Sequence, residues 1–325
     1  MRLFLLSLLL LTTGLLTACS TGDDDDSSTP PANDDDASDD DDAAPAAPTV
    51  DSNIANDDNG VLATTPLVLT FSEPMSTASV EAAWVSDSLP ANELTFNWNA
   101  TGTILTVDMS GHIQYPNGGI DVDYMGYGFE IEASASSEAG EALEAPFSLN
   151  FNSARDITMA LARFDDGTGS YNGSATGVDI RVGDSPDNGT WRGFLTIDLA
   201  ELPAIVELTS ASLFIRQSDV TGHPYVDLGD LLIDHMAPIE EISLSHYNGT
   251  AEAELGVFSD SDAQANPGGD RSIDVTASLQ TDLDAGNVLS SYRFGFETAQ
   301  DGESDDDYSI LDRTSSRLDV RVLAE

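Results

Sequence analysis

Apolar and polar residues alternate with a period of two through most of the chain beyond residue 48, and this pattern constrains the fold more than any other feature. Leu67–Phe71 (LVLTF) and Thr103–Val107 (TILTV) are examples. Residues two apart share one face of a strand, so each segment can bury one face and expose the other. Only residues 276–285, with Leu279 and Leu283 at helical spacing, predict a short helix. The chain is therefore predicted to be all-β.

The strands fall into two groups, which predict two domains. Residues 49–153 hold about seven short strands, as in an antiparallel β-sandwich. Residues 154–325 hold about eight to ten strands, which suits a larger jelly-roll β-sandwich. The pairs Asn59-Gly60 and Asn117-Gly118 predict tight turns. The main predicted strands are 67–71, 94–98, 103–107, 127–131 and 147–151, then 157–164, 178–182, 192–199, 210–217, 228–235, 272–275, 292–297, 308–311 and 317–323.

Residues 1–18 have the features of a secretory signal peptide. Arg2 gives a positive start, and residues 3–16 form a Leu-rich stretch interrupted only by Ser, Thr and Gly. This stretch is too short for a membrane-spanning helix, which needs about 20 apolar residues. The chain contains no other apolar run of membrane length, so the remainder is predicted to be soluble and exported.

The end of this segment resembles the lipobox of bacterial lipoproteins, with Leu16, Thr17 and Ala18 followed by Cys19. The resemblance implies that the thiol of Cys19 receives a diacylglycerol, that cleavage precedes it, and that its new amine is acylated. Ser20 follows, which in that family favours the outer membrane. Cys19 is the only cysteine, so no disulfide can form within the chain and another use is expected. An ordinary signal peptide with an incidental cysteine is the alternative.

Beyond the lipidated Cys19, residues 20–48 predict a disordered acidic linker. They contain 11 Asp, no basic residue and no large apolar residue, so they cannot bury enough surface to fold. Like charges and Pro keep such a segment extended, with a reach of at most about 100 Å. It is interpreted as a tether that holds the domains away from the membrane. Calcium binding by the Asp clusters is the alternative, but their positions do not match an EF-hand loop.

The charge of the chain excludes several classes of protein. It has 58 acidic against 11 basic residues, a formal net charge of −47, and no Lys. A nucleic-acid-binding protein needs basic residues opposite the phosphates, so no nucleic-acid partner is expected. P-loop and Schiff-base enzymes need a Lys and are excluded too. Such an acidic, Lys-free composition is typical of exported proteins of salt-adapted, halophilic organisms.

The first domain resembles the bacterial Ig-like domain of the S-layer type. The resemblance rests on Pro66–Met75 (PLVLTFSEPM) followed by Thr77–Val80 (TASV), and extends to strands 103–107 and 147–151. It implies an Ig-like β-sandwich that acts as a spacer or adhesion module, without catalytic residues. Ser72-Glu73 is interpreted as a turn cap.

The second domain resembles the DNRLRE family of bacterial carbohydrate-binding-type jelly rolls. The matching segments are Arg192–Pro203 (RGFLTIDLAELP), Leu208–Ile215 (LTSASLFI) and Arg317–Val322 (RLDVRV), with Ile197 where the family has Phe. The resemblance implies association with polysaccharide or the cell surface. All Arg residues beyond Arg2 lie in this domain. The strand residues among them, Arg192, Arg216, Arg293, Arg317 and Arg321, are expected to pair with carboxylates.

Catalytic motifs are absent from the sequence. There is no G-x-S-x-G elbow and no H-E-x-x-H zinc motif. A glycosidase carboxylate pair is defined by its spatial separation, so the sequence leaves that alternative open. No catalytic residue is therefore assigned.

Calcium is the ion that the acidic loops suggest, because Ca²⁺ takes carboxylate oxygens. The residues alone favour a plainer interpretation, in which these loops are exposed acidic surface. Sugar binding would use aromatic residues near loops, although packing is the more common use of such side chains. The candidate metal ligands are Asp165, Asp166, Asp301, Glu303 and Asp305, and the candidate ligand-binding residues are Tyr171, Trp191, Tyr225 and Tyr247.

The sequence therefore predicts a non-enzymatic lipoprotein, anchored in the outer membrane or at the cell surface through acylated Cys19. An Ig-like spacer would present a jelly roll that binds polysaccharide or envelope components, with a structural Ca²⁺ as the suggested cofactor. One alternative is a purely structural envelope or adhesion protein with protein partners. The other is a glycan hydrolase or lyase that uses a carboxylate pair.

Overall fold

A computed structural model describes residues 46–164, 166–187, 189–260 and 270–325. The signal peptide, the lipobox residues Leu16, Thr17 and Ala18, the predicted lipidation site Cys19, nearly all of the tether and Asp165 lie outside the described residues. Within the described ranges, the chain is almost entirely β-structure arranged in several sheets, which confirms the all-β sandwich class. No helix in these ranges has the length and apolar character needed to cross a membrane.

The first sandwich consists of two four-stranded sheets, with strand orders β1-β3-β6-β5 and β2-β9-β8-β4. One short α-helix and one 3-10 helix, Ala91–Glu93, connect strands of the two sheets. The elements of this part of the chain are β1 Val50–Ser52, β2 Asp58–Val61, β3 Leu67–Phe71, α1 Thr77–Ala82, β4 Trp84–Val85, β5 Thr95–Trp98, β6 Ile104–Asp108, β7 Asn117–Gly118, β8 Gly126–Ile131 and β9 Phe147–Ser153. Of these, β7 pairs with a sheet of the second sandwich.

Alternating side chains of both sheets build the core of this sandwich. In β3, Leu67, Leu69 and Phe71 are buried, whereas the residues between them are not. Trp84 stacks on Phe129 with ring centroids 4.0 Å apart. The buried residues of this core all lie between positions 54 and 151.

The second sandwich consists of two larger sheets. One has the order β18-β15-β20-β10-β7, with β13 also paired to β20, and the other has the order β12-β11-β14-β19-β16-β17. The elements are β10 Arg155–Leu161, β11 Gly169–Tyr171, β12 Thr176–Gly177, β13 Ile180–Asp184, β14 Arg192–Asp198, β15 Ile205–Thr221, α2 Pro224–Asp227, β16 Leu231–Met236, α3 Leu244–Asn248, β17 Ala253–Ser259, β18 Asp270–Asp274, α4 Thr276–Asp284, β19 Leu289–Phe296 and β20 Asp307–Ala324.

The core of the second sandwich lies between its two sheets, and its buried residues lie between positions 157 and 324. Tyr292 and Phe294 of β19 are fully buried there. Leu279 of α4 is buried in the same core, and Leu283 packs against it, so the helical spacing seen in the sequence places both on the inner face. The predicted helix at 276–285 is confirmed.

Asn59-Gly60, predicted as a tight turn, lies within strand β2, and the short helices α1, α2 and α3 were not predicted. Two further predictions also differ from the structure. Asn117-Gly118 is the short strand β7 rather than a tight turn, because it pairs in parallel with Asp156 and Ile157 of β10. The predicted strands 308–311 and 317–323 are parts of the single 18-residue strand β20. In both places, pairing with a distant strand overrides the local turn signal.

Asp156 joins the two cores, which belong to one compact unit. It lies on β10, two residues beyond Ala154, which separates β9 from β10. Its Oδ1 accepts a hydrogen bond from Arg321 Nε (2.8 Å), and its Oδ2 accepts one from Asn117 Nδ2 (2.9 Å). The hydrogen bonds from the Arg321 guanidinium are the main reason that the pKa of Asp156 lies below its ordinary range.

We expect the substitution Asp156→Ala to lower the free energy of unfolding by about 1.5–3 kcal/mol, the range for hydrogen bonds to charged groups. Urea unfolding at pH 7 measures this loss. Because folding lowers the pKa of Asp156, its stabilisation is present above the ordinary value of 3.8 and is lost as the pH falls through the lower folded value. The difference between the wild type and the variant should therefore shrink below pH 3.8.

Asp319→Ala is the matched control. Asp319 pairs with Arg317 on β20, where both side chains are more than a third exposed. Pairs of this kind contribute less than about 1 kcal/mol. Equal losses in the two variants would contradict a special role for the junction.

Candidate functional site

A groove lies on the outer face of the sheet that contains β14, β19, β16 and β17. The segment 237–251, which includes α3, covers the neighbouring part of that face and buries Phe194 and Met236 beneath it. The groove has a volume of about 290 Å³. Gly256 and Gly295 line it, and a Cβ added at either position would meet no atom within 4 Å. Its other lining residues are Thr190, Arg192, Leu232, Ile233, Asp234, Glu254, Arg293, Phe296 and Ala299.

Register across three strands places the charged side chains on this face. Asp234 of β16 lies directly opposite both Arg293 of β19 and Glu254 of β17, so the three side chains point to the same side of the sheet. Arg293 donates from Nε (3.1 Å) and Nη2 (2.7 Å) to Oδ2 of Asp234. Its Nη1 donates to the carbonyl oxygen of Gly249 at 2.6 Å. Asp234 and Arg293 therefore neutralise each other.

Arg192 is the cation of the groove that no carboxylate neutralises. Its Nη1 donates to the carbonyl oxygen of Tyr247, and its guanidinium lies 4.8 Å from the centroid of the Tyr247 ring. Among the residues that the structure describes, no Asp or Glu forms an ion pair with it. Burial, and then the charge of Arg293, lowers the pKa of Arg192. The prediction that the strand arginines pair with carboxylates is correct for the other four and wrong for Arg192.

The opposite side of the groove carries an exposed carboxylate. Glu254 forms no ion pair within the described parts of the chain, and its side chain is exposed. The groove thus offers guanidinium donors on one side, carboxylate acceptors on the other, and glycine backbone between them. This arrangement suits a polar ligand that can approach the backbone closely.

The four aromatic residues expected to bind ligand do not form one platform. Tyr171 and Tyr247 contact each other edge to face (5.8 Å) and pack against the cluster beneath the 237–251 segment. Trp191 lies beside Arg181, outside the groove lining. Tyr225 packs on Phe296 and donates to Gln217 Oε1 at 2.9 Å, which is core packing. Of the four, Tyr247 contacts a residue that lines the groove, Arg192.

The structure brings together three of the candidate metal ligands. Asp301, Glu303 and Asp305 each present an oxygen within 4.8 Å of the others. Asp166 lines a different depression, with Glu240, Glu241 and Arg313. The loop that carries these three residues therefore remains a candidate metal site, and Asp166 is not part of it.

Sequence reasoning missed Asp184 and Asp227, which lie near this acidic loop. Asp184 ends β13, Asp307 begins β20, and the two are directly opposite each other in the ladder. Asp227 at the end of α2 also presents an oxygen within 4.8 Å of Asp301 and Asp307. Nothing in the sequence marked Asp184 or Asp227, because strand pairing and the return of α2 bring them to this end of the sandwich.

A second group of titratable residues, His235, Asp282 and Glu252, is a bridge between elements. Nε2 of the buried His235 lies 2.9 Å from Oδ2 of the buried Asp282, and its Nδ1 lies 3.6 Å from Glu252. Asn287 donates to the other oxygen of Asp282 at 3.0 Å. Each ring nitrogen faces a different carboxylate, which fits a hydrogen bond to Asp282 and a longer electrostatic contact with Glu252 rather than a shared metal ion. The bridge fastens α4 to β16.

We expect Asp282→Ala to lower the free energy of unfolding by about 3–5 kcal/mol. The substitution leaves the buried imidazole of His235 and the half-buried amide of Asn287 without their acceptor. Asp284→Ala is the control on the same helix, because Asp284 is exposed and accepts only from Gln280. Its loss should stay within about 0.5 kcal/mol in the same urea titration. A loss as small for Asp282→Ala would contradict the bridging role.

No family model matches this chain, and no curated protein matches it. The groove and the acidic cluster are the two features on which a function can be based.

Proposed function

We propose that this protein is a surface-anchored, non-enzymatic lipoprotein whose second sandwich binds polysaccharide in the groove between β14 and β17. The Ig-like sandwich serves as the spacer that presents it. The observation that carries the proposal is the guanidinium of Arg192, which lies without a carboxylate partner beside an open lining of Gly256 and Gly295.

The shape of the groove supports a saccharide ligand. Its volume of about 290 Å³ lies near the lower limit of small-ligand sites, which span about 300–1,000 Å³. Sugar hydroxyls require both donors and acceptors, and Arg192 and Glu254 supply these from opposite sides. Phe296, which also lines the groove, offers an apolar contact.

The charge of the groove favours glycans that carry carboxylate or sulfate groups. A guanidinium binds such groups with two parallel hydrogen bonds, and its fixed planar shape makes the interaction selective. Arg293 already forms such hydrogen bonds with Asp234, whereas Arg192 contacts the carbonyl oxygen and the ring of Tyr247. Within a chain of net charge −47, a guanidinium left without a carboxylate partner is the group most suited to recognise an anion.

Two substitutions test the groove in the full chain, with glycan arrays and titration calorimetry as readouts. Gly295→Val should fill it without disturbing the fold, because its Cβ meets no atom and Val suits a strand. Arg192→Gln should weaken binding of carboxylated or sulfated glycans about ten-fold or more, since a charged hydrogen bond contributes about 1.5–3 kcal/mol. Both variants should melt close to the wild type.

The controls are Gly111→Val and Arg163→Gln. Gly111 has similarly open surroundings in the first sandwich, and Arg163 is an exposed arginine that pairs with Asp198. Neither should change binding. If the wild type binds no glycan on the array, that result would favour the purely structural alternative with protein partners. Turnover of a bound glycan would favour the hydrolase or lyase, with Asp234 and Glu254 as the carboxylates to test.

The anchor is a separate part of the proposal, and mass spectrometry of the purified protein tests it. The mature N-terminus should be Cys19, carrying a diacylglycerol and an amide-linked acyl chain. Several acyl chains give stable anchoring, at about 0.8 kcal/mol per buried methylene. Cys19→Ala should release the protein from the membrane fraction. An unmodified Cys19 in the wild type would contradict the anchor.

A further inference from the structure

Two aspartates face each other inside one end of the second sandwich. Asp184 and Asp307 are directly opposite in the β13–β20 ladder, so their side chains lie on the same face of the sheet. They are only 1% and 2% exposed. Like charges at such a position destabilise a sheet, and burial makes the repulsion stronger. A nearby positive charge would therefore stabilise the pair.

The protein supplies only part of that compensation. The backbone N–H of Asp301 donates to Oδ2 of Asp184 at 3.3 Å, and the N–H of His223 donates to Oδ1 of Asp307 at 2.5 Å. Oδ1 of Asp184 is buried and accepts no hydrogen bond from any described residue. A buried carboxylate oxygen with no partner destabilises the fold unless a proton or a group outside the chain binds it.

More carboxylates converge on the same end of the sandwich. Asp301 and Asp227 each present an oxygen within 4.8 Å of one on Asp307. Burial, together with the negative charges of Asp301 and Asp305, raises the pKa of both Asp184 and Asp307. Among the described residues, no Arg or His forms an ion pair with any of these five aspartates.

We propose that Asp227, Asp301 and Asp307, whose oxygens lie within 4.8 Å of one another, bind a Ca²⁺ ion at this end of the sandwich. The unpartnered Oδ1 of the buried Asp184 is a further ligand from the inside, and Asp305 lies on the solvent side. Two oxygens bound to one Ca²⁺ lie at most about 5 Å apart, because each Ca–O bond is 2.3–2.6 Å long. The spacing within 4.8 Å of the Asp227, Asp301 and Asp307 oxygens meets this limit. The ion supplies the positive charge that the pair lacks and a partner for Oδ1 of Asp184.

The composition of the site selects the kind of ion. All of its side-chain donors are carboxylate oxygens, whereas Zn²⁺ sites draw on Cys and His. Mg²⁺ requires near-ideal octahedral geometry and keeps several waters, so it is less suited to a site with this many carboxylates. The site differs from the Asp runs of residues 23–42, whose positions do not match an EF-hand loop. It is also separate from the groove and holds whether or not the groove binds a glycan.

Melting of the full chain in EDTA and in CaCl₂ tests the proposal, with MgCl₂ at the same concentration as the control for ionic screening. The wild type should melt at a higher temperature in Ca²⁺ than in EDTA, and more so than in Mg²⁺. Asp184→Asn should lose that shift and bind Ca²⁺ about ten-fold or more weakly by calorimetry. In EDTA the same variant should melt at or above the wild type, because it removes one of two facing charges.

This reversal of order distinguishes a metal ligand from a merely structural residue, whose loss would lower the melting temperature under both conditions. Asp301→Asn, at a partly exposed position, gives a second measurement should Asp184→Asn fail to fold. Asp179→Asn is the matched control, because Asp179 is exposed one residue before β13. It should keep the full Ca²⁺ shift. A wild type that melts identically in EDTA and Ca²⁺, or an Asp184→Asn variant that retains the shift, would overturn the proposal.

Discussion

The second sandwich depends on the hydrogen-bonded ladder of one strand, β20. It pairs with β15 along its length, with β10 near its end and with β13 near its beginning. Its two ends carry Asp307, in the acidic cluster, and Arg321, in the contact between the cores. Because β10 and β20 are far apart in sequence, this ladder forms only once the last strand has been made, which is typical of slow-folding all-β topologies. Both special features of the sandwich are held in place by the same strand.

The excess of negative charge explains why so few arginines are available for binding. The 10 Arg of residues 154–325 face 32 acidic residues, and five of them form ion pairs with carboxylates. Others contact carbonyl oxygens or rings, as Arg155 does with Tyr124 and Arg181 with Tyr308. Most carboxylates are left to solvent, where salt screens their repulsion over about 8–10 Å. Salt screens buried carboxylates much less, and the structure pairs Asp156 with Arg321 and Asp282 with His235, whereas Asp184 and Asp307 have no such cationic partner among the described residues.

The sequence predicted those features that local patterns determine. The predicted strand 67–71 has the same bounds as β3, and the predicted helix at 276–285 is present as α4. Both were predictable because each buries one face at the residue spacing of its own secondary structure. Features that depend on distant partners were missed. Asn117-Gly118 is a strand because it pairs with β10, and nothing in the local sequence shows that Asp184 faces Asp307. The lack of a carboxylate at Arg192 is likewise a fact of packing, since its neighbours in the groove come from three other strands.

The connection between β19 and β20 joins the groove to the acidic cluster. Ala299 lines the groove and accepts a hydrogen bond from Thr190 Oγ1 at 2.9 Å. Asp301, two residues further on, donates its N–H to Asp184 and contributes its carboxylate to the cluster. An ion held by Asp301 and Asp307 would restrict this connection at two points and so fix the groove wall at Ala299. If the ion raises the affinity of the groove for a glycan, the glycan must raise the affinity of the cluster for the ion by the same factor, because coupling between two sites is reciprocal. The two proposed sites would then act as one calcium-dependent binding surface.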